Sequence, residues 1–399
     1  MNPTDPETAE SPEISPDPSA TLPIQAAPEA SLSPVPPPAA PEPVETRILL
    51  WILLGPQGLR AGWSVLLFMI VTFLCSAAAG FVFVKAHLVD PKAHQFTATT
   101  ALFNELVIVL GIVGAAAIVA LVERRRGNLL AFNLIGPHRV SYFVQGLVAG
   151  FAALSALIGA LAWGGWLHFG PVALSGAQIF KLGALWGAAF LLVGCFEEGT
   201  FRCYLQFTLT RGLNFWWALG IVGAICLLLI LTGKGNGVWG VYILAALGLI
   251  PCLLLHLNKA ESSSFWQAAW VTSTLFGYIH TGNGGENMIG IFAAGAIGFV
   301  FVVSIRVTGS AWWAIGCHAA WDWGETYFYG AIDSGNVATG HYLTVTPAGS
   351  AFWSGGADGP EGSVLVVVII VLLLVALVAI YGRRKPALMN APAIEPAAG

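Results

Sequence analysis

Residues 188–209 read AAFLLVGCFEEGTFRCYLQFTL, an apolar run interrupted by Glu197, Glu198 and Arg202. Whether that run is a buried core element or a membrane span decides the fold, and the rest of the chain answers the question. Charged residues make up only 10% of the 399 and hydrophobic ones 56%, a balance that excludes an ordinary soluble domain. In lipid every backbone polar group must be satisfied within its own segment, so apolar runs of about 20 residues read as helices. The expected fold is all-α, a polytopic integral membrane bundle of eight to ten transmembrane helices.

Working outward, candidate spans fall at 61–86, 99–123, 140–166, 178–196, 214–232, 238–257, 264–281, 287–306, 310–328 and 362–382. The amphiphilic piece 196–212 either continues the fourth span or breaks from it. As one helix, 178–211 would extend about 51 Å, well beyond a bilayer core of about 30 Å. NFWWALGIV (214–222) resembles SFWQAAWVT (264–272), so the hairpin near 214–260 reads either as an insertion or as two helices opening on interfacial aromatics. Gly146 and Gly150 have the spacing of a close helix contact.

Residues 1–46 hold thirteen prolines and eight acidic residues and no Lys or Arg, the composition of a disordered tail. The segment has no basic start followed by an apolar run and a cleavage site, so a retained tail is expected. After it come N-terminal spans over 47–177, a polar-motif core over 178–328, an extramembrane loop at 329–361, a last span at 362–385 and a second disordered tail at 386–399. Arg47, Arg60, Arg124 to Arg126, Arg139, Arg211, Lys259, Arg306 and Arg383 to Lys385 fall at alternate loops of a ten-span chain. By the positive-inside rule both termini are cytoplasmic, and the 329–361 loop, which has no Lys or Arg, is outside. Lys85, Lys92 and Lys234 do not follow that pattern.

The six cysteines lie in apolar runs without a CxxC pair and read as small buried hydrophobes. No basic patch or P-loop suggests nucleic acid or nucleotide as a partner. The chain ends imply no lipid anchor.

On a helix, Glu198 and Arg202 share a face with the acid N-terminal to the base, the favourable order for an ion pair. Glu197 is turned about 100° away, free for another task. Ionised groups at mid-membrane cost roughly 2.5–3.5 kcal/mol each on insertion scales, which argues for a functional cavity or tight pairing. Two further places carry polar side chains in pairs with helical spacing: Phe276 with His280 in FGYIH, and His318 with Asp322 in HAAWD. A glutamate pair with two histidines can bind and activate water. HExxH, GxSxG and GxGD are absent, which removes the zincin, serine and aspartyl alternatives at motif level. Asn104, Glu105 and Glu325 could line the same cavity, whereas Asn283, Glu286 and Asn287 read as a loop at a helix end. All six stay outside the expected site.

Glu197-Glu198-Gly-Thr-Phe-Arg202 fits EExxxR, Phe276 to His280 fits FxxxH, and His318 to Asp322 fits HxxxN/D. In this order they resemble the CAAX-protease and bacteriocin-processing family of intramembrane proteases, which includes the Ras-converting prenyl endopeptidases. The resemblance covers about 178–328 and marks that stretch as a catalytic membrane core. It implies an endopeptidase that hydrolyses a peptide bond of a membrane-associated protein or peptide. Glu197 would act as general base on a water polarised with His280, His318 and Asp322 would stabilise the oxyanion or hold the site together, and Glu198 with Arg202 would be structural. The expected location is a bacterial cytoplasmic membrane, with the lipid bilayer itself as a partner. The last motif departs from the prenyl-processing enzymes by ending in aspartate rather than asparagine. Members are described both as zinc and as metal-free glutamate enzymes; Glu197, His280 and His318 could fill a zinc site with one open position. Two other classes stay open: a catalytically silent bacteriocin-immunity-type or scaffold membrane protein, and a proton- or ion-coupled transporter.

Overall fold

A computed structural model describes residues 44–55, 58–90, 96–122, 134, 138–234 and 238–382. The proline-rich stretch 1–43, the tail 386–399, Lys92 and the Arg124 to Arg126 run lie outside the described residues. Residues 44–46, grouped above with the tail, open a helix.

The described chain is helical almost throughout. In order come α1 (Val44–Leu53), α2 (Ala61–Lys85), α3 (Ala98–Val122), α4 (Arg139–Trp163), α5 (Ala177–Glu198) and α6 (Gln206–Thr210). They are followed by α7 (Phe215–Thr232), α8 (Val238–Leu257), α9 (Ser263–His280), α10 (Met288–Thr308), α11 (Trp312–Asp322), α12 (Ala351–Ser354) and α13 (Val364–Tyr381). Each of the ten apolar runs contains one helix of this set; nine have ends displaced by about three residues at most, and in the 310–328 run α11 passes into a π-helical stretch at Trp323. Helix starts follow the usual capping chemistry: the Asn214, Asn287 and Ser363 side chains accept N–H bonds from the first turns of α7, α10 and α13.

Between α5 and α6 the chain does not break. Gly199–Leu205 is a π-helical stretch, so Ala177–Thr210 is one 34-residue rod with a widened turn just after the glutamate pair. α11 behaves the same way, running on from Asp322 into a second π-helical stretch, Trp323–Tyr329.

Eight helices are long and apolar enough to cross a bilayer: α2, α3, α4, the 177–210 rod, α7, α8, α10 and α13. Their outward faces carry exposed large apolar side chains such as Phe73, Leu121 and Phe180, as expected where the solvent is hydrocarbon. The two remaining runs fall short for different reasons: α9 carries polar side chains inward, and α11 has only 11 residues before its π-helical extension. Gln267, Thr272, Ser273 and Thr274 of α9 are buried, and α11 is buried from Trp313 to Cys317. These two central helices bear the histidines.

α11 is wedged against α4 by small residues. A β-carbon on Gly146 or Gly150 of α4 would collide with the carbonyls of Trp313 and Cys317, and one on Gly316 with the carbonyl of Phe143. The expected packing role of Gly146 and Gly150 is thus a backbone-to-backbone seam.

Arg211 reaches Ser64 at 3.0 Å, and the Trp312 indole donates to the Leu134 carbonyl, which puts these helix ends on one side of the bundle. At the other side the 330–363 segment folds back over the helix ends. Leu167–Phe169 (β1) pairs antiparallel with Val345–Pro347 (β2), Leu167 opposite Pro347 and Phe169 opposite Val345. Asn287 ties α10 to this cover by donating to the Gly355 and Gly362 carbonyls.

Candidate active site

The rod, α9 and α11 deliver one motif each to a cavity of about 250 Å³ lined by Glu197, His280, His318 and Asp322. Glu198 is fully buried, whereas Glu197 keeps 16% of its side-chain surface. That difference separates the two acids as the helix-face reading expects. Glu198 Oε1 lies 3.3 Å from Arg202 Nη1. The same oxygen accepts a 2.9 Å bond from His318 Nδ1, which sequence reasoning missed: Glu198 also orients the histidine of the third motif.

Arg202 is held mostly by rings and backbone. Its Nε donates to the Gly298 carbonyl at 3.4 Å, and its guanidinium carbon sits 4.0 Å from the Phe276 ring centroid and 5.5 Å from that of Phe301. A β-carbon on Gly298 would press on Arg202 Nη2. Cation–π contact can hold a desolvated guanidinium whose hydrogen-bond partners are few.

His280 Nδ1 lies 2.8 Å from the Phe276 carbonyl one turn back. A carbonyl only accepts, so Nδ1 carries the proton and Nε2 keeps its lone pair for the cavity. Phe276 therefore has two jobs: its backbone fixes His280 and its ring covers Arg202. With Nδ1 bound to Glu198, His318 points Nε2 at Glu197 Oε2 and Asp322 Oδ2, each 3.6 Å away. Those gaps exceed a direct hydrogen bond and suit a bridging water. Glu197 Oε2 is buried and has no hydrogen-bond donor. The Phe301 ring stacks on His318 at 5.7 Å.

Both histidines are held through Nδ1 by an oxygen, which is how metal-ligating imidazoles are oriented. The zinc reading nevertheless lacks the necessary convergence. Among the described residues, the group whose donor atoms all gather within 4.8 Å of one another is Glu325, Asp333 and Glu361. Glu197, His280 and His318 do not form such a group, so no step is routed through a metal there.

Glu325, Asp333 and Glu361 were not expected as a cluster. Glu325 is fully buried on the π-helical extension of α11, and Asp333 and Glu361 join Asn283 and Ser334 in lining the cavity toward the 330–363 cover. Asn283 thus reaches the cavity, while Asn287 is a helix cap as its loop position suggested.

Residues 252–324 match the family model described as type II CAAX prenyl endopeptidase Rce1-like. No curated protein and no solved structure matches the chain. The matched stretch holds the second and third motifs, and the helix bearing the glutamate pair supplies the first from outside it. Over 252–324 the chain is thus similar to the Rce1-like type II CAAX prenyl endopeptidases, a likeness that supports a CAAX-type intramembrane protease at family level.

Proposed function

We propose that the protein is an intramembrane endopeptidase that cuts a membrane-associated protein or peptide with a water activated by Glu197. The observation that carries this reading is the buried, donorless Glu197 Oε2 facing His318 Nε2 across 3.6 Å, a gap that a water can bridge. The Glu197 carboxylate takes the water proton, and the lone pair on His280 Nε2 helps aim the water. His318, in its imidazolium form between Glu198 and Asp322, donates from Nε2 to the oxyanion of the tetrahedral adduct. Glu197 then returns its proton to the leaving amine. Asp322, a carboxylate where the prenyl-processing enzymes have an amide, can only accept when ionised, so its role is to favour the charged form of His318.

Two features bear on orientation. Arg60, Arg139, Arg211, Lys259 and Arg306 all flank helix termini that strict alternation puts at one end of the bundle, and the acidic cover lies at the other. By the positive-inside rule the basic end is cytoplasmic, as are both termini.

The test compares peptide termini in membranes from cells expressing the wild-type chain or Glu197→Gln at matched levels. New ends confined to wild type support the peptidase and name its substrate. Identical profiles from two folded proteins sink it and favour a silent scaffold; proton or ion flux in liposomes with no new ends favours a transporter.

A further inference from the structure

The acidic cluster beside the cavity poses a charge problem that no basic side chain among the described residues meets by direct contact. One carboxylate oxygen each of Glu325, Asp333 and Glu361 lies within 4.8 Å of the others. Their donors are few. The Trp321 indole N–H is shared between Glu325 Oε2 at 3.0 Å and Glu361 Oε1 at 2.8 Å. Ser334 donates to Glu361 Oε2 at 2.9 Å, and the Thr326 hydroxyl donates to Asp333 Oδ2. Among the described residues no salt bridge reaches any of the three.

The independent pointer is Glu325 itself. Its side chain is fully buried and its Oε1 has no hydrogen-bond partner. Asp358, also fully buried, repeats the pattern nearby with an unpartnered Oδ1. Sequestering ionised carboxylates without a counter-charge costs several kcal/mol each. A bound cation removes that cost and supplies the missing partner of Oε1.

We propose that Glu325, Asp333 and Glu361 bind a hard divalent cation of the Ca²⁺ type, which clasps the 330–363 cover to the helix that carries His318 and Asp322. The donor set is all oxygen, which selects hard ions over zinc or copper. Oxygens up to 4.8 Å apart can share one Ca²⁺ at about 2.3–2.6 Å, whereas Mg²⁺ at about 2.0–2.1 Å would have to draw the widest pairs together. The three ligands come from the π-helical extension of α11, the turn after it and the approach to α13, so one ion joins both ends of the cover to the floor of the cavity. The site stands whether or not the chain cleaves peptides.

The test uses the purified full chain in detergent, with Tb³⁺ as a luminescent stand-in for Ca²⁺. Trp321 touches two of the three ligands and is the built-in sensitiser. The expected result is saturable Tb³⁺ emission on tryptophan excitation, displaced by Ca²⁺. Asp333→Asn combined with Glu361→Gln should abolish it. Trp321→Phe should remove most of the emission while Ca²⁺ still raises the unfolding temperature. Absence of both saturable emission and a Ca²⁺-dependent rise in unfolding temperature, or emission unchanged in the correctly folded double variant, would overturn the proposal. A Ca²⁺-dependent rise in unfolding temperature that disappears in the double variant supports it without luminescence. A rise of equal size in the double variant counts against it.

Discussion

Glu198 and Glu325 are both fully buried glutamates, one just before a π-helical stretch and one within another, yet their surroundings differ in kind. Glu198 meets a guanidinium at 3.3 Å and an imidazole at 2.9 Å. Glu325 meets one indole N–H, which it shares with Glu361. In the first region the chain carries its own positive charge into the membrane. In the second it concentrates acids that no salt bridge among the described residues reaches, and the proposed cation would supply the balance. Breaking a self-balanced site should therefore cost more than neutralising an unbalanced one, and that contrast can be pressed experimentally.

The largest effect is on chemistry. Glu197→Gln keeps the shape of the side chain and removes the base, so the rate of cleavage should fall about 10²–10⁴-fold with unfolding temperature unchanged. Next, Arg202→Leu leaves the buried Glu198 with His318 alone and should cost about 3–5 kcal/mol of stability, read as loss of folded protein in detergent. If Arg202→Leu were as stable as wild type, the self-balanced account of the first region would be wrong.

Glu325→Gln should act in the opposite direction. In a chelator it removes an unpaired buried charge and should stabilise by about 1–3 kcal/mol; in saturating Ca²⁺ the gain should vanish. A pH series sharpens the same contrast. Burial, with Asp333 and Asp358 adding repulsion, lifts Glu361 to about 7, and burial lifts Asp333 to about 6. For an acid whose pKa is higher folded than unfolded, stability is full below the unfolded value and is lost as pH rises through the folded one. In chelator the unfolding temperature should thus fall between about pH 4 and 7, and Glu361→Gln should remove the upper part of that fall. The smallest effect is at Phe276: Phe276→Leu keeps the carbonyl that fixes His280 but removes the ring over Arg202, at about 0.5–2 kcal/mol of stability.

The first region was legible in the sequence and the second was not, for a physical reason. Charges in apolar runs announce themselves, and the four-residue spacing of Glu198 with Arg202 and His318 with Asp322 survives as contact because each pair shares a helical turn. The bond from His318 to Glu198 joins two different helices, so no spacing rule reveals it. Glu325, Asp333 and Glu361 are brought together by a loop closure across a segment whose turns carry little pattern. The ten apolar runs were all found, but their polarity did not show that α9 and α11 would be central. Only their packed surroundings do.

The glycine seam between α4 and α11 has a mechanical corollary. Where two backbones touch through Gly146, Gly150 and Gly316, there is no layer of side chains to flex, so the wall carrying His318 is keyed in place like a fixed jamb. The part of the cavity lined by Val366, Ile369, Ile370 and Leu373 of α13 is made instead of side chains, which re-seat by changing rotamer.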